Sequence, residues 1–483
     1  MKKDMEQELL KAVSSAEGQA DSESAGEKAK NCGWQGADAA EREKIMAFSE
    51  GYIRFLNEAK TEREAVREIV RQAEDAGFRN IADADSLQPG DRVYGINHGK
   101  SIYMAVLGRQ PLTAGFQGVG AHIDAPRLDL KQNPLYEDSG IAMLKTHYYG
   151  GIKKYQWTTV PLALHGVVAF KDGSVKEVCI GEDEEDPVFI ITDLLPHLAA
   201  KQNAKKLAEG VPAENLNILV GSVPQTDADS EFVKKNILAL LKEKYGMEED
   251  DFRSAEIEAV PAAMARSTGL DRSMVSGYGQ DDRVCAYPGL RGILDIDGVP
   301  ERTALCIFAD KEEIGSVGVT GMQSSNFELF IMDLLEKTGI VNPYAVQRTF
   351  SASRVLSADV TAAFDPTYAD VMERRNAAYM SKGISLKKYT GARGKSGASD
   401  ANAEFVGYVR GVFDRAGVVC QSSEMGKVDE GGGGTIAYIL ANRGMQVLDC
   451  GVPILSMHSP YETASKFDIY QAYKAYKAFL LAE

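Results

Sequence analysis

The sequence predicts an α/β protein whose main domain is interrupted by a β-rich insertion. Three observations carry that reading. The solid apolar run Thr303–Ala309 has the length of a strand buried on both faces of a parallel sheet. Between residues 128 and 261 the style changes to short alternating runs, Thr158–Leu164 and Val167–Phe170, then an acidic stretch, Glu182–Asp186. From about Ser276 strand-like and helix-like segments alternate again. The implied division is 1–127, an inserted module over 128–261, and 262–483.

In chain order, residues 13–37 are rich in Ser, Ala, Gly and Glu and read as a mobile arm. Ile45, Phe48, Tyr52, Phe55 and Leu56 recur at helical spacing within 38–75, one or two helices closed by Gly77. Strands follow at Val93-Tyr94, Ser101–Val106 and Phe116–Asp124. Inside the insertion, Ser230–Lys244 is polar and helix-prone. Beyond it come a helix over Asn402–Ala416, a strand over Gly417–Cys420, a glycine run at Gly431–Gly434, a helix over Thr435–Asn442 and a strand over Met445–Cys450. An amphipathic helix over Asp468–Ala482 ends the sequence.

Composition excludes several classes. A net charge of −16 argues against nucleic acid or an anionic membrane as partner, and disfavours acidic ligands unless a local basic pocket overrides it. No apolar run approaches the about 18 residues of a membrane span. The N-terminal residues lack the apolar core of a secretory signal, and the six scattered cysteines read as buried thiols of a reducing, cytoplasmic compartment. Without a C-x-x-C, a thiolate zinc site is not expected.

Five strand-like or loop segments each present a metal-type ligand: Val119–Asp124, Gly279–Arg283, Asp310–Glu313, Val355–Asp359 and Ile454–His458. Together His122, Asp281, Glu313, Asp359 and His458 can serve two divalent ions. If Asp281 bridges, each ion has three protein ligands and room for a shared water, the count of an open catalytic site. Glu312 is then left to take a proton from that water. Asp124, two residues past His122, could accept its free ring N–H. Sequence alone leaves Asp282 open as the bridge, and Glu312 and Glu313 open to exchange roles. His98, His147 and His165 read as satisfied, partly buried side chains rather than ligands. Gly391–Ser396 lacks the first glycine of a phosphate loop, whereas the backbone of Gly432 and Gly433 could hold a substrate carbonyl or carboxylate.

These stretches, G-A-H-I-D-A-P-R-L, Q-D-D-R-V-C, D-K-E-E-I-G-S, S-A-D-V, G-K-V-D-E-G-G-G-G-T and M-H-S-P-Y-E, resemble the aspartyl aminopeptidase family of metallopeptidases over roughly residues 90–480. The resemblance implies a phosphorylase/hydrolase-like peptidase domain interrupted by a dimerisation domain, with dimers assembling into tetrahedral dodecamers. It implies that His122 and Asp359 hold one metal, Glu313 and His458 the other, with Asp281 between them and Glu312 as general base. It also implies a histidine reaching the site from a neighbouring subunit's insertion, for which His197 is the candidate. The carboxylate-rich set with two histidines suits zinc, cobalt or manganese.

The substrates so implied are peptides with a free N-terminus. Where acid-preferring relatives carry asparagine and glutamine, this chain reads Leu386–Arg393. Lys387, Lys388 or Arg393 could pair an acidic N-terminal side chain, and a neutral preference is the alternative. The rival functions are a carboxypeptidase or deacylase with the same two-metal chemistry, and a non-catalytic scaffold.

Overall fold

The computed structural model describes residues 32–226, 230–390 and 394–483. The arm expected over 13–37 lies outside them up to residue 31, and Gly33–Gly36 forms a short helix. Helices α1 (Ala39–Glu58) and α2 (Glu62–Asp75) follow. Thr61 and Glu64 cap α2 reciprocally, each side chain taking the other's backbone N–H. Then come strands β1 (Arg79–Asn80), β2 (Arg92–Asn97), β3 (Ser101–Val106) and β4 (Phe116–His122).

The insertion holds β5 (Arg127–Asp138), β6 (Ile141–Tyr149), β7 (Leu162–Ala169), β8 (Val175–Ile180), β9 (Ile190–Ile191), β10 (Asn217–Gly221), helix α3 (Phe232–Tyr245) and β11 (Ala255–Pro261). The strands form one seven-stranded antiparallel sheet, β8-β7-β11-β5-β6-β10-β9, with its own apolar core beneath α3. The two alternating runs at 158–164 and 167–170 fall largely on a single strand, β7, which starts directly after Pro161.

The return segment comprises β12 (Arg266–Thr268), β13 (Met274–Gly277), α4 (Gln280–Leu294), β14 (Thr303–Ala309), α5 (Asn326–Lys337), α6 (Ala345–Ala352), β15 (Arg354–Ser357), β16 (Thr361–Ala362) and β17 (Ile384–Lys387). It ends with α7 (Ala403–Arg415), β18 (Cys420–Ser422), β19 (Gln446–Gly451), β20 (Pro453–Leu455), β21 (Glu462–Ser465) and α8 (Lys466–Leu480). The main sheet is nine-stranded, β1-β2-β3-β14-β4-β15-β19-β17-β18, and a smaller sheet runs β12-β13-β21-β20-β16.

The main sheet is mixed rather than all-parallel: β14 pairs parallel with β4 but antiparallel with β3. Its apolar run has a clear physical cause. Ala304, Cys306 and Phe308 enter the core shared with α4, α7 and α8, while Leu305, Ile307 and Ala309 enter the core shared with α5 and α6. Of the cysteines, Cys285, Cys306 and Cys450 are buried free thiols, but Cys179 is exposed, contrary to the expectation of burial. Among the described residues no helix is long and apolar enough to cross a membrane.

Candidate active site

Strands β14 and β15 flank β4 and both run parallel to it, so their carboxyl ends share one edge of the sheet. His122 ends β4, and Glu312 and Glu313 lie in a 3-10 turn just beyond β14. Lys311, at φ 66°, turns the chain into that 3-10 segment. Asp359 lies two residues beyond β15. Asp281 opens α4, and His458 sits in the loop between β20 and β21. The five segments singled out in the sequence meet at this edge.

Asp281 is at the centre. One carboxylate oxygen is 3.2 Å from Nε2 of His122 and the other 3.2 Å from Nε2 of His458. Ligand atoms of His122, Asp281 and Asp359 form one group within 4.8 Å, and those of Asp281, Glu313 and His458 form a second. Asp282 points elsewhere, accepting the His122 backbone N–H at 3.3 Å. Glu312 belongs to neither group, its carboxylate 3.9 Å from His122 Nε2.

Both imidazoles are held with Nε2 toward the carboxylates. Nδ1 of His122 lies 3.1 Å from the carbonyl of Asp124 and 3.2 Å from its carboxylate. Nδ1 of His458 donates to the Gly151 carbonyl at 2.8 Å. Such partners fix the tautomer and leave Nε2 free to ligate. Asp124 does more than the sequence reading foresaw. Its carboxylate also accepts the backbone N–H groups of Glu312 (3.1 Å) and Glu313 (3.2 Å) and the hydroxyl of Tyr149 (2.8 Å).

Three contributors have no counterpart among the sequence candidates: Glu462, Tyr149 and Gly151. Glu462, buried on β21, accepts the backbone N–H of His458 at 2.7 Å and of Asp281 at 3.1 Å, joining the two segments. Its signal was local, since it follows His458 by four residues. Tyr149 and the Gly150–Gly151 loop come from the insertion and had no local signal. A Cβ on Gly151 would stand 3.3 Å from Nδ1 of His458, so the backbone passes directly against the ring.

The electrostatics fit cations. Burial first, then the neighbouring Asp359, Asp124 and Asp281, push the Glu312 carboxyl up to about 8. Burial and Asp281 raise Glu313 well above the usual carboxylate range, and burial raises Asp359 to about 6. Burial also opposes charge on Asp281, but hydrogen bonds from both histidines hold it below the usual range. Burial opposes charge on His458 too, yet Asp281 and Glu313 raise it to about 10. Among the described residues, no hydrogen bond reaches the buried Oε1 of Glu313. Two imidazole nitrogens facing a surplus of buried carboxylates are a donor set for divalent ions such as zinc.

A cavity of about 460 Å³ opens over these groups. Gly432 and Gly433 line it, as do Lys387, Thr390, Met425 and Met457. The helix expected after the glycine run is only five residues, Ala437–Ala441. Lys387 is buried and donates to the carbonyls of Asp359 (3.2 Å) and Val360 (2.7 Å). Lys388 is exposed and does not line the cavity, and Arg393 lies outside the described residues. His197 is exposed on a 3-10 turn of the insertion and does not line the cavity of its own chain.

A mixed sheet with paired carboxylates and histidines at its carboxyl edge is an arrangement suited to metal-dependent hydrolysis. The model of the aminopeptidase I zinc metalloprotease family (M18) matches residues 55–480, and the chain belongs to that family. It is a metallo-aminopeptidase, a hydrolase acting on peptide bonds. A probable M18 family aminopeptidase 1 of Clostridium acetobutylicum is 51% identical over 452 residues, spanning 92% of this chain and 97% of that protein. The crystal structure of an M18 aminopeptidase from Thermotoga maritima superposes with a TM-score of 0.90 at 44% identity, covering 93% of this chain and 98% of that one. The mApe1 dodecamer of S. cerevisiae shares the fold at 19% identity, TM-score 0.72, over 89% of this chain and 95% of that one.

Proposed function

We propose that the protein removes neutral N-terminal residues from peptides with two divalent ions, His122 and Asp359 serving one, Glu313 and His458 the other, and Asp281 both. The observation that carries this reading is the position of Asp281, whose two oxygens each face one histidine at 3.2 Å. When bound, the ions supply Lewis acidity toward the scissile carbonyl and the attacking water. Glu312 takes the proton from that water and delivers it to the leaving amine. Asp124 positions Glu312 and Glu313 through their backbone N–H groups and holds the His122 ring. The backbone at Gly432 and Gly433 faces the substrate main chain, and the carboxylates around the cavity receive the free α-amino group.

The neutral preference rests on what lines the cavity. Met425, Met457 and Thr390 carry no charge, and the Lys387 ammonium acts on the buried Asp359 and Asp449 and on two main-chain carbonyls. A panel of unblocked Leu, Met, Lys, Asp and Glu aminoacyl substrates, run after chelation and reloading with zinc, cobalt or manganese, tests both points. Chelation is expected to abolish cleavage and reloading to restore it, with Leu and Met substrates ahead of Asp and Glu. A preference for Asp or Glu would return Lys387 to the role of an acid-binding group. Asp281→Asn is expected to leave the chain folded but to bind neither ion tightly; retention of two ions, measured by elemental analysis, would remove Asp281 from the bridging position.

Residues 128–261 serve in this reading as a dimerisation domain, and the dimers build a tetrahedral dodecamer in the cytoplasm. The exposed Leu194, Leu195 and Leu198 beside His197 support a covered surface there, with His197 reaching a neighbour's oxyanion position. Light scattering should report the mass of a dodecamer; a monomer at working concentration would exclude the role of His197 across subunits.

A further inference from the structure

A second cluster of ligand-type side chains lies away from the cavity, where α2 meets the inserted sheet. His165 of β7 is buried, and Cys179 of β8 stands opposite it in register. Glu64 reaches them from α2. Nε2 of His165 is 3.0 Å from Oε1 of Glu182, an oxygen that also accepts from the Lys60 ammonium at 2.6 Å. An acceptor already paired with a lysine is an ionised carboxylate, so Nε2 carries the proton and Nδ1 faces the other way. Nδ1 then stands only 2.7 Å from Oε1 of Glu64, and the other oxygen of Glu64 accepts the Thr61 N–H of the helix cap.

A ring lone pair and a carboxylate lone pair repel at 2.7 Å unless a cation lies between them. A proton meets that need with two partners. The third partner is the exposed Cys179, whose sulfur is 4.0 Å from Nδ1. The ligand atoms of Glu64, His165 and Cys179 all lie within 4.8 Å of one another. One nitrogen, one oxygen and one thiolate sulfur, with the second ring nitrogen anchored on a carboxylate, form a zinc-type donor set.

We infer that Glu64, His165 and Cys179 form an additional zinc-type cation site that ties helix α2 to the inserted sheet. On binding, the ion replaces the proton on Nδ1 of His165 and the proton of the Cys179 thiol, and both protons pass to solvent. The ligands come from both sides of the junction between the main domain and the insertion, so occupation stabilises their docking.

Cobalt(II) titration of the metal-free full chain tests this. The five candidate ligands of the cavity include no cysteine, so a thiolate-to-cobalt charge-transfer band in the near ultraviolet reports the additional site alone. Wild type is expected to show the band and to bind one equivalent of cobalt more than Cys179→Ser. Cys179→Ser is expected to lose the band while keeping the wild-type peptidase activity after reloading. Zinc should likewise slow alkylation of Cys179, read by mass spectrometry. Absence of the band in wild type, or its survival in Cys179→Ser, overturns the inference and leaves a proton between His165 and Glu64. A band without peptidase activity supports this site and counts against the reading of the cavity instead.

Discussion

Glu312→Gln is expected to lower kcat by about 10²- to 10⁴-fold, the usual contribution of a general base, while both ions still bind. The substitution keeps the shape of the side chain and removes its ability to take a proton. The fold of the turn does not depend on that carboxylate, because Asp124 holds the backbone N–H groups of both Glu312 and Glu313. Elemental analysis beside steady-state kinetics separates a lost base from a lost metal. A variant with both ions and nearly full activity would move the base to another group, Glu313 first.

Arg127→Met is expected to cost about 3–5 kcal/mol of folding stability, the range for removing one partner of a buried ion pair. Arg127 is buried at the start of β5, and its guanidinium pairs with Glu62 of α2 (3.3 Å), Asp129 (2.8 Å) and Glu258 of β11 (3.0 Å). It also lies 3.9 Å from the centroid of the Tyr149 ring, whose hydroxyl holds Asp124. Methionine fills much of the volume but leaves the buried Glu258 without its cation and Glu62 with Lys100 alone, 3.2 Å away. Urea unfolding measures the loss, and Glu62→Gln with Glu258→Gln in the same chain should recover part of it. A loss under 1 kcal/mol, the level of an exposed pair, would show that the arginine is not the anchor of this junction.

The parts legible in the sequence were those written locally. The strands leading to His122 and to Glu313 are plain as patterns, whereas no helix is read at Asp281 and no strand before His458. The meeting of His122, Glu313 and Asp359 at one edge follows from parallel neighbours having carboxyl ends on the same side. The mixed character of the main sheet was not legible, because a strand buried on both faces reads as one apolar run whatever the direction of its partners. Lys387 and Lys388 show a subtler limit. They look alike as a polar pair, but the period of two on β17 and its end sends one inward beneath the cavity and leaves the next exposed. Glu462 could have been weighed with His458, four residues before it. Tyr149 and Gly151 could not, since they reach the site only through the fold of the insertion. His165 reads from sequence as a satisfied, partly buried side chain, and its ligand-type neighbours lie 14 residues on, at Cys179, and 101 residues back, at Glu64.

The backbone of Gly151 against the His458 ring has a consequence for protein engineering. A catalytic half stripped of residues 128–261 would not be a portable unit. The carbonyl that orients His458 and the phenol that steadies Asp124 would both leave with the excised segment. Grafting this chemistry onto another scaffold means transplanting the tip of β6 along with the ligands, and exchanging insertions between relatives means matching that tip first.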